Sequence, residues 1–133
     1  MHGVAVMNAL LMAHSPLTDL VGTEIWAGDV PVKSVPAVGI KEISRVEQDT
    51  VARSGPNTLV TARIQVTVYA SSYPQQKALL TAAKLGPGVH TGEIAGTTVR
   101  SVLRDSVGPD LSNPEAGTFE QSRDFKVTYL EPN

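Results

Sequence analysis

The chain has 133 residues, of which 41% are hydrophobic and 18% charged, an ordinary globular composition, and it carries a net charge of −2. This length fits one domain over residues 1–133, and the slight acidity argues against a nucleic-acid binder that works through a basic patch. The sequence has no cysteine, which excludes thiol nucleophiles, cysteine zinc sites and a disulfide-built secreted fold.

The first third of the chain predicts short helices followed by short strands. Apolar residues recur at helical spacing near its start, and the segment lacks the basic n-region and cleavage motif of a signal peptide. We therefore expect a protein of the cytoplasm or of a particle assembled there. The expected elements are a helix over residues 3–14, a helical turn over 17–21 that Gly22 ends, and strands over 24–27 and 37–43.

Residues 44–58 form a polar segment between two predicted strands. The segment contains Arg45, Glu47, Asp49 and Arg53, and it ends in a Ser-Gly-Pro-Asn turn sequence. Because it has little apolar surface to bury, it is either a long exposed hairpin arm or a disordered loop.

Residues 59–88 carry the clearest pattern in the chain. From residue 61 to 70, apolar residues alternate with polar ones, which is the period of a half-buried strand. Ser-Ser-Tyr-Pro at 71–74 supplies an N-cap and an early proline, so we expect a helix over 75–84 that Gly-Pro-Gly at 86–88 ends. Three strand residues are expected to pack under three helix residues: Ile64, Val66 and Val68 under Leu79, Ala82 and Ala83.

The rest of the chain predicts a strand-rich C-terminal part. We expect strands over residues 89–94 and 97–107, an exposed loop over 108–117 and a long final strand over 119–129. The order of the elements predicts an α+β fold in which two main helices pack on one face of a mostly antiparallel sheet.

No group of residues in the sequence has the spacing of a catalytic or metal site. The three histidines, His2, His14 and His90, are far apart in sequence and form no metal-ligand motif. The acidic pairs lie in the expected loops, where a carboxylate stays solvated and lacks the burial that a general acid needs. We therefore expect no enzyme activity, no cofactor and no metal.

The candidate functional residues are polar side chains suited to contacts between proteins. Arg63 and Gln65, on the polar face of the long strand, either meet solvent or contact another subunit. With the charged residues of the two polar segments they form the candidate interaction set: Arg45, Glu47, Asp49, Arg53, Arg63, Gln65, Asp110 and Glu115.

The whole chain resembles the tail-completion or tail-terminator proteins of long-tailed bacteriophages. The opening helix is followed by Ser-Pro-Leu-Thr-Asp-Leu-Val-Gly-Thr-Glu-Ile-Trp at 15–26, and a proline-marked strand entry follows at 34–38. A strand that ends in an aromatic residue, 63–69, then runs into the helix over 74–85. An Arg-Asp-Phe-x-Val-x-Tyr strand at 123–129 closes the pattern.

The resemblance implies a virion protein that forms a ring of identical subunits, a homohexamer, on the finished tail tube. Such a ring stops further addition of the major tail tube protein and binds the head-side connector or stopper protein, while genomic DNA only passes through its lumen. No membrane is involved. Two alternatives remain open at the level of sequence: a tail-tube or head-closure subunit, and a small ligand-binding α+β dimer.

Overall fold

The structure is a computed structural model that describes residues 2–28, 30, 35–48, 55–86, 90–113, 115 and 117–132. The described residues form three helices and seven strands. The helices are α1 (His2–Met12), α2 (Ser15–Val21) and α3 (Tyr73–Ala82). The strands are β1 (Ile25–Ala27), β2 (Ala37–Gln48), β3 (Asn57–Ala70), β4 (Gly92–Ile94), β5 (Thr97–Val107), β6 (Leu111–Asn113) and β7 (Thr118–Pro132).

All seven strands belong to one sheet in the order β1-β2-β3-β7-β5-β4, and β6 pairs with the start of β7. The pair β1–β2 is parallel and the other pairs are antiparallel. The α+β class is therefore correct. The expected sheet is only roughly matched, because its edge is mixed and because three helices, rather than two main ones, accompany it.

The core lies between one face of the sheet and the helices. Ile64, Val66 and Val68 of β3 are fully buried, and they share one apolar cluster with Leu79 and Ala83 from the α3 region. The expected packing is thus confirmed, except that Ala82 is only partly buried at the margin of the cluster. The intervening residues of β3 are half-buried on the opposite face, as a period of two requires.

The ends of α3 follow the expected local chemistry. The Ser72 hydroxyl accepts a hydrogen bond of 3.3 Å from the backbone N–H of Gln75, which caps the first turn. The helix ends at Ala82, two residues before the expected end, and the chain then passes through positive φ at Leu85 and Gly86. Residues 87 and 88 of the expected helix stop lie outside the described residues.

The N-terminal helices pack into the same core. Among the described residues, no single helix is long and apolar enough to cross a membrane. The pair α1 and α2 reaches that length and composition only when both are counted across an 85° bend. Val6, Met7 and Leu11 of α1 are fully buried inside the protein.

Two segments expected to be exposed contain strand. β2 continues to Gln48, where it pairs with Leu59 of β3, so the hairpin-arm interpretation of residues 44–58 is correct for their described part. The expectation of a loop over residues 108–117 is wrong at β6, which pairs with residues 118–120. In both places backbone pairing with the next strand along the chain supplies the order, so little side-chain burial is needed.

Candidate protein interface

Arg45 belongs to a strand and is held inside the chain. Its guanidinium forms an ion pair with Glu131 of β7, and Glu47 lies 3.0 Å from the same Nη2 atom. The hydrogen bond to Glu131 raises the pKa of Arg45 above its usual value. Asp49 and Arg53, the other two candidates of this segment, lie outside the described residues.

Arg63 is bound to a buried carboxylate of its own chain. Its Nε donates to Asp124 Oδ2 over 2.7 Å, and Asp124 is only 6% exposed. The side chains of Asp105, at 3.7 Å, and Ser106, at 3.3 Å, complete the surroundings of the guanidinium. Gln65, the other candidate interaction residue on this face of β3, donates from its amide to the Ser122 hydroxyl over 3.5 Å. Arg63 is thus held by a carboxylate of its own chain, while its side chain remains 42% exposed.

Asp110 joins the expected loop to α3. Its carboxylate accepts hydrogen bonds from Lys77 and from the Tyr73 hydroxyl, the latter over 2.9 Å. These two donors, Lys77 first, lower the pKa of Asp110 below its usual value. Glu115 is exposed, and the structure does not bring it to this cluster.

β2 and β5 each have one edge that is only partly paired with another strand among the described residues. β1 pairs with only residues 38–40 of β2, so residues 42–48 extend beyond it. β4 pairs with only residues 97–99 of β5, so residues 100–107 extend beyond it. The two free segments lie on opposite sides of the sheet. Free strand edges present unpaired backbone groups that favour pairing with another chain.

Both free edges carry exposed apolar side chains. On β2, Ile43 is 48% exposed and Val46 68%, and on β5, Leu103 is 60% exposed and Val107 49%. These residues were not among the candidates from sequence. The available signal was the presence of isolated apolar residues within otherwise polar segments, which is typical of contact surfaces when the residues cluster in space.

Two arginines that sequence reasoning missed lie together near the β5 edge. Arg104 donates to the backbone carbonyls of Lys84, at 3.3 Å, and Gly86, at 2.6 Å. The buried Nε of Arg123 has no hydrogen-bond partner. Burial and the nearby charge of Arg104 lower the pKa of Arg123. Neither arginine forms an ion pair with any part of the chain that the structure describes.

Two of the open grooves on the described residues could in principle hold a ligand. One groove, of about 240 Å³, lies on the polar sheet face and is lined by residues that include Lys41, Gln65 and Gln121. The other, of about 290 Å³, contains Arg104 and His90. No group of three or more potential metal-ligating side chains occurs among the described residues.

Of the three histidines, His2 lies against the Tyr129 ring, with ring centroids 5.8 Å apart.

Comparison with known proteins identifies a shared fold. No protein-family model and no curated protein sequence matches the chain. Among solved structures, the chain is similar to one from the virion of a native gene transfer agent (GTA) particle. The TM-score is 0.62 at 15% sequence identity, and the alignment covers 98% of this chain and 97% of the other. At this identity the likeness shows that the two chains share a fold over nearly their whole length.

Proposed function

We propose that the protein is a structural component of a phage-like virion that forms a ring on the end of the tail tube. The observation that carries the proposal is the fold shared, end to end, with a chain of a gene transfer agent virion. The whole-chain resemblance of the sequence to tail-terminator proteins supports the same function.

The free strand edges supply a physical means of ring formation. The free edge of β2 and the free edge of β5 lie on opposite sides of the sheet, so one subunit offers both halves of a head-to-tail contact. A head-to-tail contact closes into a ring when the rotation per subunit permits it. We propose six subunits, as the resemblance implies.

In this proposal the ring acts by occlusion and not by catalysis. One face of the ring covers the surface to which the major tail tube protein adds, and the opposite face binds the head-side connector or stopper. DNA passes through the lumen without a specific contact, and neither a cofactor nor a membrane takes part. The protein then resides in the neck of the virion after assembly in the host cytoplasm.

Two other assembly functions use the same fold evidence. A tail-tube subunit or a head-closure subunit would also be a small sheet-and-helix protein of a virion. The polar groove beside Lys41 and Gln65 is the feature that favours a small ligand-binding dimer instead. Its open polar surface lacks the enclosed apolar wall typical of small-molecule sites, so we favour assembly.

Deletion of the gene, with complementation, tests the proposed function. Negative-stain electron micrographs of the lysate are expected to show tails of uncontrolled length that are not joined to heads. Complementation by the unchanged gene is expected to restore a single tail length. Tails of normal length attached to filled heads would contradict the terminator proposal. Heads without any tails would favour a tube subunit instead.

A further inference from the structure

Glu42 lies on the free edge of β2 and Arg104 on the free edge of β5, at the same level of the sheet. Two residues are at the same level when successive cross-strand pairings connect them. The register pairs Glu42 with Ile64 and Ile64 with Phe125. Phe125 in turn pairs with Arg104. Because Ile64 and Phe125 are buried under the helices, Glu42 and Arg104 lie on the helix-covered face.

The strand directions suit a junction between these two edges. Three antiparallel pairings separate β2 from β5, so the two strands run in opposite directions. In a ring whose axis runs along the strands, the rotation that relates one subunit to the next keeps strand direction. β2 of one copy therefore meets β5 of its neighbour as an antiparallel pair, and a rotation without a shift along the strands keeps the levels aligned.

The charges at that level are complementary, and neither Glu42 nor Arg104 forms an ion pair with the described residues. Glu42 is exposed and makes no hydrogen bond or ion pair with the described residues. Arg104 bonds only to backbone carbonyls, and Arg123 beside it has a buried Nε with no partner. Arg104 itself is exposed, so the cost of an unpaired guanidinium falls on the buried Nε of Arg123. A carboxylate from outside, placed beside both arginines, offsets part of that cost.

Each of the two edges also carries one exposed apolar residue near this level, Ile43 on β2 and Leu103 on β5. Leu103 pairs with Lys126, Lys126 with Arg63 and Arg63 with Ser44, so the level of Leu103 is that of Ser44. Ile43 and Leu103 are both about half exposed or more in the single subunit. Pairing of the two edges removes both from water, which adds a favourable apolar contact to the ion pair.

We propose that a second copy of this chain occupies the free edge of β5, with its Glu42 carboxylate paired to Arg104 beside Arg123. This inference rests on the proposed ring and names the contact that closes it. It also assigns a role to the Arg104–Arg123 pair, which is otherwise a local repulsion between two cations. The partner is a second copy because the level, the strand direction, the charge and the apolar surface all match its β2 edge.

Cysteine cross-linking tests the contact directly, because the chain has no cysteine of its own. Glu42→Cys combined with Arg104→Cys is expected to give a ladder of disulfide-linked oligomers under mild oxidation. Asp19, an exposed residue of α2 away from both free edges, supplies the matched control. Asp19→Cys with Arg104→Cys is expected to stay monomeric on a denaturing gel. Ser44→Cys with Leu103→Cys probes the same level without removing the Arg104 hydrogen bonds, and a ladder is expected there too.

Charge exchange supplies the second arm. Glu42→Arg alone is expected to weaken self-association at least tenfold in analytical ultracentrifugation, as is Arg104→Glu alone. The double variant is expected to recover most of the loss, whereas Asp19→Arg should have no effect. Suppose that the unchanged protein forms oligomers, but neither cysteine pair cross-links and the double charge variant does not recover self-association. This inference is then wrong, while the proposed ring remains possible through another contact. If the unchanged protein forms no oligomer at any concentration or on tail tubes, the proposed function itself fails.

Discussion

Truncation of Ile64 tests which face of β3 the helices cover. Ile64 is fully buried, and its Cδ1 atom would lie 3.0 Å from a Cβ placed on Gly3 of α1. Ile64→Ala removes three carbons at this contact. Loss of their burial costs about 2.4 kcal/mol at about 0.8 kcal/mol per carbon, and the remaining cavity brings the total to about 3–4 kcal/mol.

Gln65→Ala is the matched control because it lies one residue away on the opposite face. Gln65 is half-buried, and its amide reaches the Ser122 hydroxyl only at the long distance of 3.5 Å. Its truncation is expected to cost less than about 1 kcal/mol. The register with β2 and β7 therefore predicts a large difference between two neighbouring positions.

Urea unfolding measures both variants, with circular dichroism for the backbone and the fluorescence of the single tryptophan, Trp26, as a second probe. We expect the midpoint of Ile64→Ala to fall far below that of Gln65→Ala, with the denaturant slope unchanged. Equal losses in the two variants would refute the register. A slip of one residue would exchange the covered and open faces of β3 and would remove the basis for the edge contact.

Three further predictions follow from the polar contacts. Arg63→Met is expected to lower the melting temperature more than Arg63→Lys, because Arg63 holds the buried carboxylate of Asp124; an unchanged melting temperature with lost self-association would contradict this. Arg123→Leu is expected to raise the free energy of unfolding of the isolated subunit by about 1 kcal/mol in urea, because its Nε is buried without a partner; a loss of stability would refute that account. The lowered pKa of Asp110 predicts that its carboxylate stays ionised when the pH falls just below the usual value of 3.8. Its contact with Lys77 is therefore fully present above pH 3.8 and is lost as the pH falls through the lowered pKa. Carboxyl-carbon NMR should show that Lys77→Met raises the pKa of Asp110 again.

The sequence predicts the elements whose period is local, and β3 is the clearest example. Its alternation of apolar and polar residues defines the strand, its buried face and the helix that packs there, because burial on one side of a sheet requires that period. The N-cap of α3 is likewise predictable, since Ser72 bonds to the N–H of Gln75, three residues away.

The remaining features depend on contacts between strands and not on a pattern within one segment. β6 has three exposed residues and no burial pattern, so its strand character appears only through its partner β7. The sequence around Arg63 predicts a surface cation without a specific partner. Its partner Asp124 is 61 residues away in the sequence and is brought beside it only by the pairing of β3 with β7. The level shared by Glu42 and Arg104 follows from three successive strand pairings that no local pattern encodes.

The most direct test of the account is the position of the protein in purified particles. A small tag on the chain, visible in an electron-microscopy reconstruction of the whole virion, reports both the location and the number of copies. The account predicts a single ring of labelled subunits at the head-proximal end of the tail tube. Label along the whole tube, within the head shell or absent from the particle would contradict it.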